Sequence, residues 1–320
     1  MSSQPQSPST TDSGLPDSTG LRLLAVHAHP DDEASKGAAL MAAYVHAGAR
    51  VMVATATDGS AGDLINPTYG ESFRVDRDIT AVRYQEMADA AAILNIEHRW
   101  LGFRDSGFPE GDDPMANLEP GCFADLPLEI ASAPLVRLIR EFKPHVIITY
   151  DEIGGYPHPD HLRTHAISME AYKKAGDPDA YPGTGEPWEV SKLYYDRAFN
   201  PEKYRVIHQA LMDSGYESPY GKRIEWYDRV AAGEDDPDAW RLTHHEVTTQ
   251  VHTAAFLEYR DAALRAHRSQ VDSHGMFFFT PNELLRKHWP WEDYVLIDSK
   301  VETTLPESDL FAGLRDTPVD

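Results

Sequence analysis

A single cysteine, Cys122, leaves this chain of 320 residues without an internal disulfide and without a cysteine pair for a thiolate zinc site. Any metal must then be held by histidine and carboxylate. The Glu-Pro-Gly-Cys-Phe context reads as a loop, which speaks against a catalytic thiol. Positive charge is also scarce: 29 Lys and Arg face 52 Asp and Glu, a formal net charge of −23 that opposes nucleic acid and anionic membrane surfaces. No apolar run approaches the roughly 18 residues needed to span a bilayer. Residues 1–20 are rich in Ser, Pro, Thr and Gln and lack the charged and apolar segments of a signal or transit peptide. They read as a disordered tail, and the protein as cytoplasmic. Missing too is a Gly-x-Gly-x-x-Gly turn after the first strand, which disfavours a dinucleotide cofactor.

What the chain does have is a hydrophobic content of 41% and a regular alternation of apolar runs with helical patterns. Residues 21–27, 50–57, 98–102 and 145–150 read as buried strands, and 37–47, 79–94 and 128–142 as helices between them. That order predicts an α/β fold, a Rossmann-like, mostly parallel sheet flanked by helices. A further helix follows at 162–175, and strands at 191–196 and 247–251. The pattern weakens and acidity rises over 201–242, which predicts a less regular C-terminal cap. Phe256, Tyr259, Ala263 and His267 share a helix face. The aromatic stretches 276–279 and 288–294 read as core or cap packing rather than a ligand box. The expected organisation is one domain over 21–320, its core at 21–200 and its cap and C-terminal helices at 201–320.

The first strand empties into His29, Pro30, Asp31 and Asp32, at the sheet edge where open α/β folds bind ligands. One histidine and two carboxylates there suit a hard or borderline divalent cation. Proline followed by acids is also an ordinary helix start. A second cluster, Gly154-Gly155-Tyr156-Pro157-His158-Pro159-Asp160-His161, again follows a strand, and two histidine-rich strand ends are hard to explain as caps. Asp58-Gly59-Ser60-Ala61-Gly62 and Phe103-Arg104-Asp105 leave strands on the same edge.

Ala28-His29-Pro30-Asp31-Asp32-Glu33 together with Gly155-Tyr156-Pro157-His158-Pro159-Asp160-His161 resembles the zinc-dependent N-deacetylase (LmbE-like) family, which includes N-acetylglucosaminyl-phosphatidylinositol deacetylases and the mycothiol enzymes. The similarity extends through Trp100-Leu101-Gly102-Phe103, Tyr150-Asp151-Glu152 and Ala263-Leu264-Arg265-Ala266-His267. It implies His29, Asp32 and His161 as ligands of one divalent metal, zinc or ferrous iron, and Asp31 as general base. It implies His158 as oxyanion stabiliser and acid for the leaving amine, tuned by Asp160, with Tyr156 as a second oxyanion contact. His165, one turn beyond His161, is an alternative ligand, and His27 a residue behind the site or in the core.

Within the family the chain is most similar to the mycothiol S-conjugate amidases. That implies cleavage of the amide on the glucosamine nitrogen of a thiol conjugate, releasing a mercapturic acid and glucosaminyl-inositol in detoxification. The alternative is deacetylation of N-acetylglucosaminyl-inositol in mycothiol biosynthesis. Lys36 resembles the amidase branch and is expected at the pocket rim, facing a polar acyl chain. Arg83, Asp105 and His267 resemble substrate-contacting positions, each with a structural role as the competing account. The loop 58–62 departs from the amidase pattern. Two remoter readings are a non-haem iron oxygenase, which would need an all-β jelly roll, and an inactive sugar-binding module, which would have no use for Asp31 and His158.

Overall fold

The computed structural model describes residues 14–66, 78–111, 113, 115–234 and 245–315. Seven strands form one sheet in the order β3-β2-β1-β4-β5-β7-β6. They are β1 (Arg22–His27), β2 (Arg50–Thr57), β3 (Glu97–Phe103), β4 (Val146–Thr149), β5 (Lys192–Asp196), β6 (Thr249–His252) and β7 (Trp291–Ser299). The first five are parallel, and β7 pairs antiparallel with both β5 and β6. The chain winds outward from β1 to β3, then restarts at β4 on the other side of β1. The crevice between the carboxyl ends of β1 and β4 is therefore the point where the strand order reverses, the place such sheets bind ligands.

Apolar residues on both faces of β1 explain its continuous hydrophobic run. Leu23 and Ala25 pack with Leu40 and Ala43 of α2 (Ala38–His46) and Met87 and Leu94 of α3 (Ile79–Leu94). Leu24 and Val26 face the opposite way, onto Leu135 and Ile139 of α4 (Leu128–Phe142) and Ile167 of α5 (Pro159–Lys174). A short α1 (Asp32–Ser35) precedes α2. Over the last part of the chain, α6 (Pro201–Asp213), α7 (Gly221–Ala231) and α9 (Asn282–His288) form a cap in which Ile207, Leu211, Leu285 and Trp289 cluster with Leu257 at the start of α8 (Leu257–Ala266), a helix whose Tyr259, Ala263 and Leu264 join the main core. On α8, Tyr259 and Ala263 are buried, as are Phe256 and His267 at its two ends. No helix among the described residues is long and apolar enough to cross a membrane.

Two local expectations change. Of the stretch read as a disordered tail, residues 1–13 lie outside the described residues, but Ser18 is buried, donates its N–H to Ala47 O at 2.7 Å and receives the Arg315 guanidinium on its hydroxyl at 2.9 Å. Polar composition hid an anchor made by a residue nearly 300 positions away. The aromatic run 288–294 does pack, Trp289 with the cap and Tyr294 with the main core, but from Trp291 it does so as β7, a strand the sequence pattern does not suggest.

Candidate metal centre and active site

Asp31 opens the site in a conformation that side chains rarely adopt, with φ 135° and ψ −20°. A strained, partly exposed aspartate at a strand end is the kind of outlier that marks function. The turn is held from outside itself: the Asp31 N–H donates to Glu33 Oε2 at 3.0 Å, and Glu33 is locked by His267 Nε2 at 2.6 Å. Both members of that pair are fully buried. The result is that Asp31 and Asp32, adjacent in sequence, aim different ways.

Asp32 is the hub. Its Oδ2 accepts the His29 N–H at 3.0 Å and the Tyr150 hydroxyl at 2.7 Å, and lies 3.5 Å from both His29 Nδ1 and His161 Nε2. Lys36 donates to Oδ1 of the same carboxylate. On the second stretch, Gly154 has φ +70°, and a Cβ there would stand 2.6 Å from the His161 Cβ, so glycine is required for the close approach. The Gly154 carbonyl lies 2.9 Å from His161 Nδ1 and takes its proton. That fixes the tautomer with His161 Nε2 bare, and this buried atom has no hydrogen-bond partner. One ligand atom each from His29, Asp32 and His161 lies within 4.8 Å of the others. An orphaned imidazole nitrogen beside a carboxylate and a second imidazole fits a divalent cation with three protein ligands and a position left for water.

The charge state of the site points the same way. Burial opposes a charged His29, yet contacts with Asp160 and Asp32 push its pKa up to about 10. Burial would also raise Asp32, but Lys36 and His161 overcome it and hold the carboxyl well below its ordinary range. The ring of acids thus demands positive charge at His29, a demand that a cation meets in place of a proton. Asp160 is fully buried and accepts from Ser106 N at 3.0 Å, with His29 Nε2 at 3.2 Å. The expected contact of its carboxylate with His158 is replaced by this one with His29, which turns His29 Nδ1 toward Asp32.

His158 caps α5 from its Nδ1, which accepts the Asp160 N–H at 3.1 Å. Its proton therefore resides on Nε2. Burial first, then His29 and His161, push its pKa down to about 3, so it stands as a neutral N–H donor. Its ring lies 4.5 Å from that of His29, and Tyr156 packs 4.5 Å from His161. His165 contacts Tyr150 O at 3.1 Å, outside the ligand cluster. His27 is buried against Tyr150, below the site.

The resemblance-derived substrate positions divide. Asp105 is buried 3.9 Å from His29 Nε2, on the wall of the site. Arg83 is 3% exposed and holds the turns from beneath: it donates to Gly59 O at 3.0 Å and Pro30 O at 2.9 Å, with Asp31 at 3.6 Å. Gly59 and Gly62 have no room for a Cβ because the guanidinium fills it. His267 is enclosed with Glu33, too deep to touch a substrate. Lys36, expected at the rim, folds inward onto Asp32 because one helical turn carries its stem there rather than outward. Sequence reasoning gave no role to the Tyr150 hydroxyl or to Glu33; the pairing of β1 with β4, which brings Tyr150 to Asp32, is the signal that could have found the first.

A cavity of about 680 Å³ is lined at the ligand cluster by Asp31, Asp32, Lys36 and Tyr156, with Phe199 6.5 Å from the Tyr156 ring, and beneath the cap by Asp196, Lys203, Glu292, Phe277, Phe279 and Trp291. Of the segment 276–279, expected as packing, Phe278 packs against the main core, whereas Met276, Phe277 and Phe279 lie exposed along the cavity.

The fold, the two histidine-bearing strand ends and the bare His161 nitrogen describe an α/β protein with a site suited to a divalent cation. The chain belongs to the PIG-L family, GlcNAc-PI de-N-acetylases, whose model matches residues 24–172. It is 47% identical over 298 residues to a mycothiol S-conjugate amidase of Streptomyces coelicolor, covering 92% of this chain and 98% of that one. It is 40% identical over 273 residues to a 1D-myo-inositol 2-acetamido-2-deoxy-alpha-D-glucopyranoside deacetylase of Thermobispora bispora, covering 83% and 84%. The N,N'-diacetylchitobiose deacetylase of Pyrococcus horikoshii shares the fold, with a TM-score of 0.54 at 17% identity, covering 86% of this chain and 83% of that one.

Proposed function

We propose that the protein hydrolyses the amide on the glucosamine nitrogen of mycothiol S-conjugates, with one divalent cation, zinc in the first instance, on His29, Asp32 and His161. The 47% identity to a mycothiol S-conjugate amidase over nearly the whole of both chains carries the substrate class. The cavity beneath the cap supports it, being in the roughly 300–1,000 Å³ range of sites for drug-sized ligands and far larger than an acetyl group needs. The site's chemistry is cytoplasmic thiol-conjugate disposal on this reading, with no role for membrane or nucleic acid.

A cation bound there would lower the pKa of water from about 15.7 toward about 7 and polarise the amide carbonyl. Asp31 takes the proton of the attacking water and returns it to the departing nitrogen. Burial raises the Asp31 pKa while Arg83 opposes the rise, which suits a group that must both accept and release a proton. His158 donates Nε2–H to the tetrahedral oxyanion, and the neutral state set by its capping role suits it to hydrogen bonding more than to proton delivery. Tyr156, on the cavity wall beside His161, is the second donor to that oxygen.

The test compares kcat/KM for a mycothiol S-conjugate and for N-acetylglucosaminyl-inositol on zinc-loaded and chelator-stripped enzyme. Preference for the conjugate, lost on stripping and regained with zinc, is the expected result. A preference for the acetylated sugar would replace the amidase with the precursor deacetylase, and full activity without metal would end the mechanism.

A further inference from the structure

We propose that the cap end of the cavity is a specificity subsite for an aromatic or similarly flat apolar group carried on the thioether sulfur, selected by Met276, Phe277, Phe279 and Trp291. This rests on the amidase reading and extends it to the chemical class of the S-substituent. Met276, Phe277, Phe279 and Trp291 are 60%, 37%, 44% and 36% exposed, and all line the same cavity. Scattered apolar residues on a surface need no explanation, but a contiguous set around one opening marks a binding surface. Between the ligand cluster and this wall, Phe199 stands 6.5 Å from the Tyr156 ring, and Arg223 lies over Phe199 and Tyr204, 5.3 Å from each centroid, so the cavity already holds one flat π-stacking group on the way to the cap end.

Position decides which part of a substrate reaches this wall. The cavity touches the ligand cluster through Asp31 and Asp32, whereas Asp105 and Phe108, near His29 and His158, lie outside it. An amide held at the ligands has its acyl arm and its sugar on opposite sides. A polyol gains from carboxylates and turn carbonyls, such as those around Asp105, and little from four exposed aromatic or thioether side chains. The cavity's polar floor does not alter this. Asp293 accepts from Asn200 Nδ2 at 2.8 Å and Trp289 Nε1 at 3.1 Å, and Glu292 from Leu40 N at 3.1 Å, so these acids are already engaged by the protein. The acyl arm therefore occupies the cavity, its cysteinyl part over the floor and its sulfur substituent between the rings.

The experiment measures kcat/KM for S-benzyl and S-methyl mycothiol on the zinc-loaded enzyme and on the Phe277→Ala/Phe279→Ala double variant, with S-benzyl-N-acetylcysteine titrated into both by calorimetry. The wild type should prefer the benzyl conjugate by at least roughly tenfold, the scale on which apolar pockets discriminate, and the double variant should lose most of that ratio through KM rather than kcat. An unchanged ratio in a folded double variant overturns the subsite while leaving the amidase reading intact. If the wild type cleaves neither conjugate, the amidase reading fails and the titration decides the subsite: weaker binding by roughly tenfold in the variant supports it, equal binding removes it. Should the double variant not fold, Met276→Ala, at the most exposed of these positions, takes its place in both measurements.

Discussion

The two ends of the cavity are built by opposite means. At the ligand end, most groups from 27–36 and 150–161 are buried, and each ligand side chain is held by a neighbour: Tyr150 and Lys36 hold Asp32, Asp160 holds His29, and Gly154 holds His161 with its Nε2 left bare. At the cap end, the wall is gathered from 203–204, 219–223, 276–280 and 289–294, and Met276, Phe277, Phe279 and Trp291 on it stand open to solvent. Chemistry needs ligand positions fixed to a fraction of an ångström, which buried strand ends with a supporting shell provide. Substrate range needs a surface that tolerates variation, which cap helices and their connections provide. Loss of one side chain should accordingly be severe at the first end and graded at the second.

The largest effects belong to the ligands and their neighbours. His29→Ala, Asp32→Ala and His161→Ala should each lose bound metal, read by elemental analysis, whereas Asp31→Ala and His158→Ala should keep it and lose kcat by roughly 10²–10⁴-fold. A His158→Ala protein empty of metal beside a metal-replete His161→Ala protein would reverse the ligand assignment. Next comes the layer behind. Glu33→Gln leaves His267 buried without its carboxylate, and breaking such a pair costs about 3–5 kcal/mol of folding stability. Chemical denaturation should show that loss, and kcat should fall with it because the Asp31 turn is tied to Glu33. Unaltered stability would mean that Glu33 does not hold the turn.

The same contrast explains what could be read from the chain. Parallel strands buried on both faces give continuous apolar runs, so β1, β2 and β4 were plain, and the positions of His29, Asp32 and His161 followed from motifs only a few residues long. Lys36 and Arg83 were placed on the right edge, but a side chain's direction depends on what lies one turn away: Asp32 for the first, the Gly59 and Pro30 carbonyls for the second. Met276, Phe277 and Phe279 misled for a related reason, since aromatic residues look alike in sequence whether they fill a core or line a cavity. β7 was hidden because its partners, β5 and β6, lie far off in sequence and its charged residues, Glu292 and Asp293, break an apolar pattern.

The smallest expected effect falls where the two ends meet. Asp196 lies on the cavity between Lys36 and the cap, and burial pushes its pKa up to about 7, against the opposing pull of Lys36. In the unfolded chain an aspartate ionises near its ordinary value of 3.8. Below that value both states hold the proton and the group is neutral to stability. As pH rises toward 7 the unfolded state ionises first, so the folded state loses ground, and the full penalty is present above 7. Asp196→Asn removes the charge and should raise Tm, with a gain near zero at pH 4 that grows through pH 7 and then levels off. A one-unit shift is worth 1.36 kcal/mol; the net shift already contains the pull of Lys36, and solvent screening at this partly exposed carboxylate reduces the relief to a gain of about 1–2 kcal/mol at pH 8. Paired melting curves of wild type and variant from pH 4 to pH 8 check it. A gain independent of pH would show that the Asp196 charge is solvated, and that the cavity is open to water up to the ligand end.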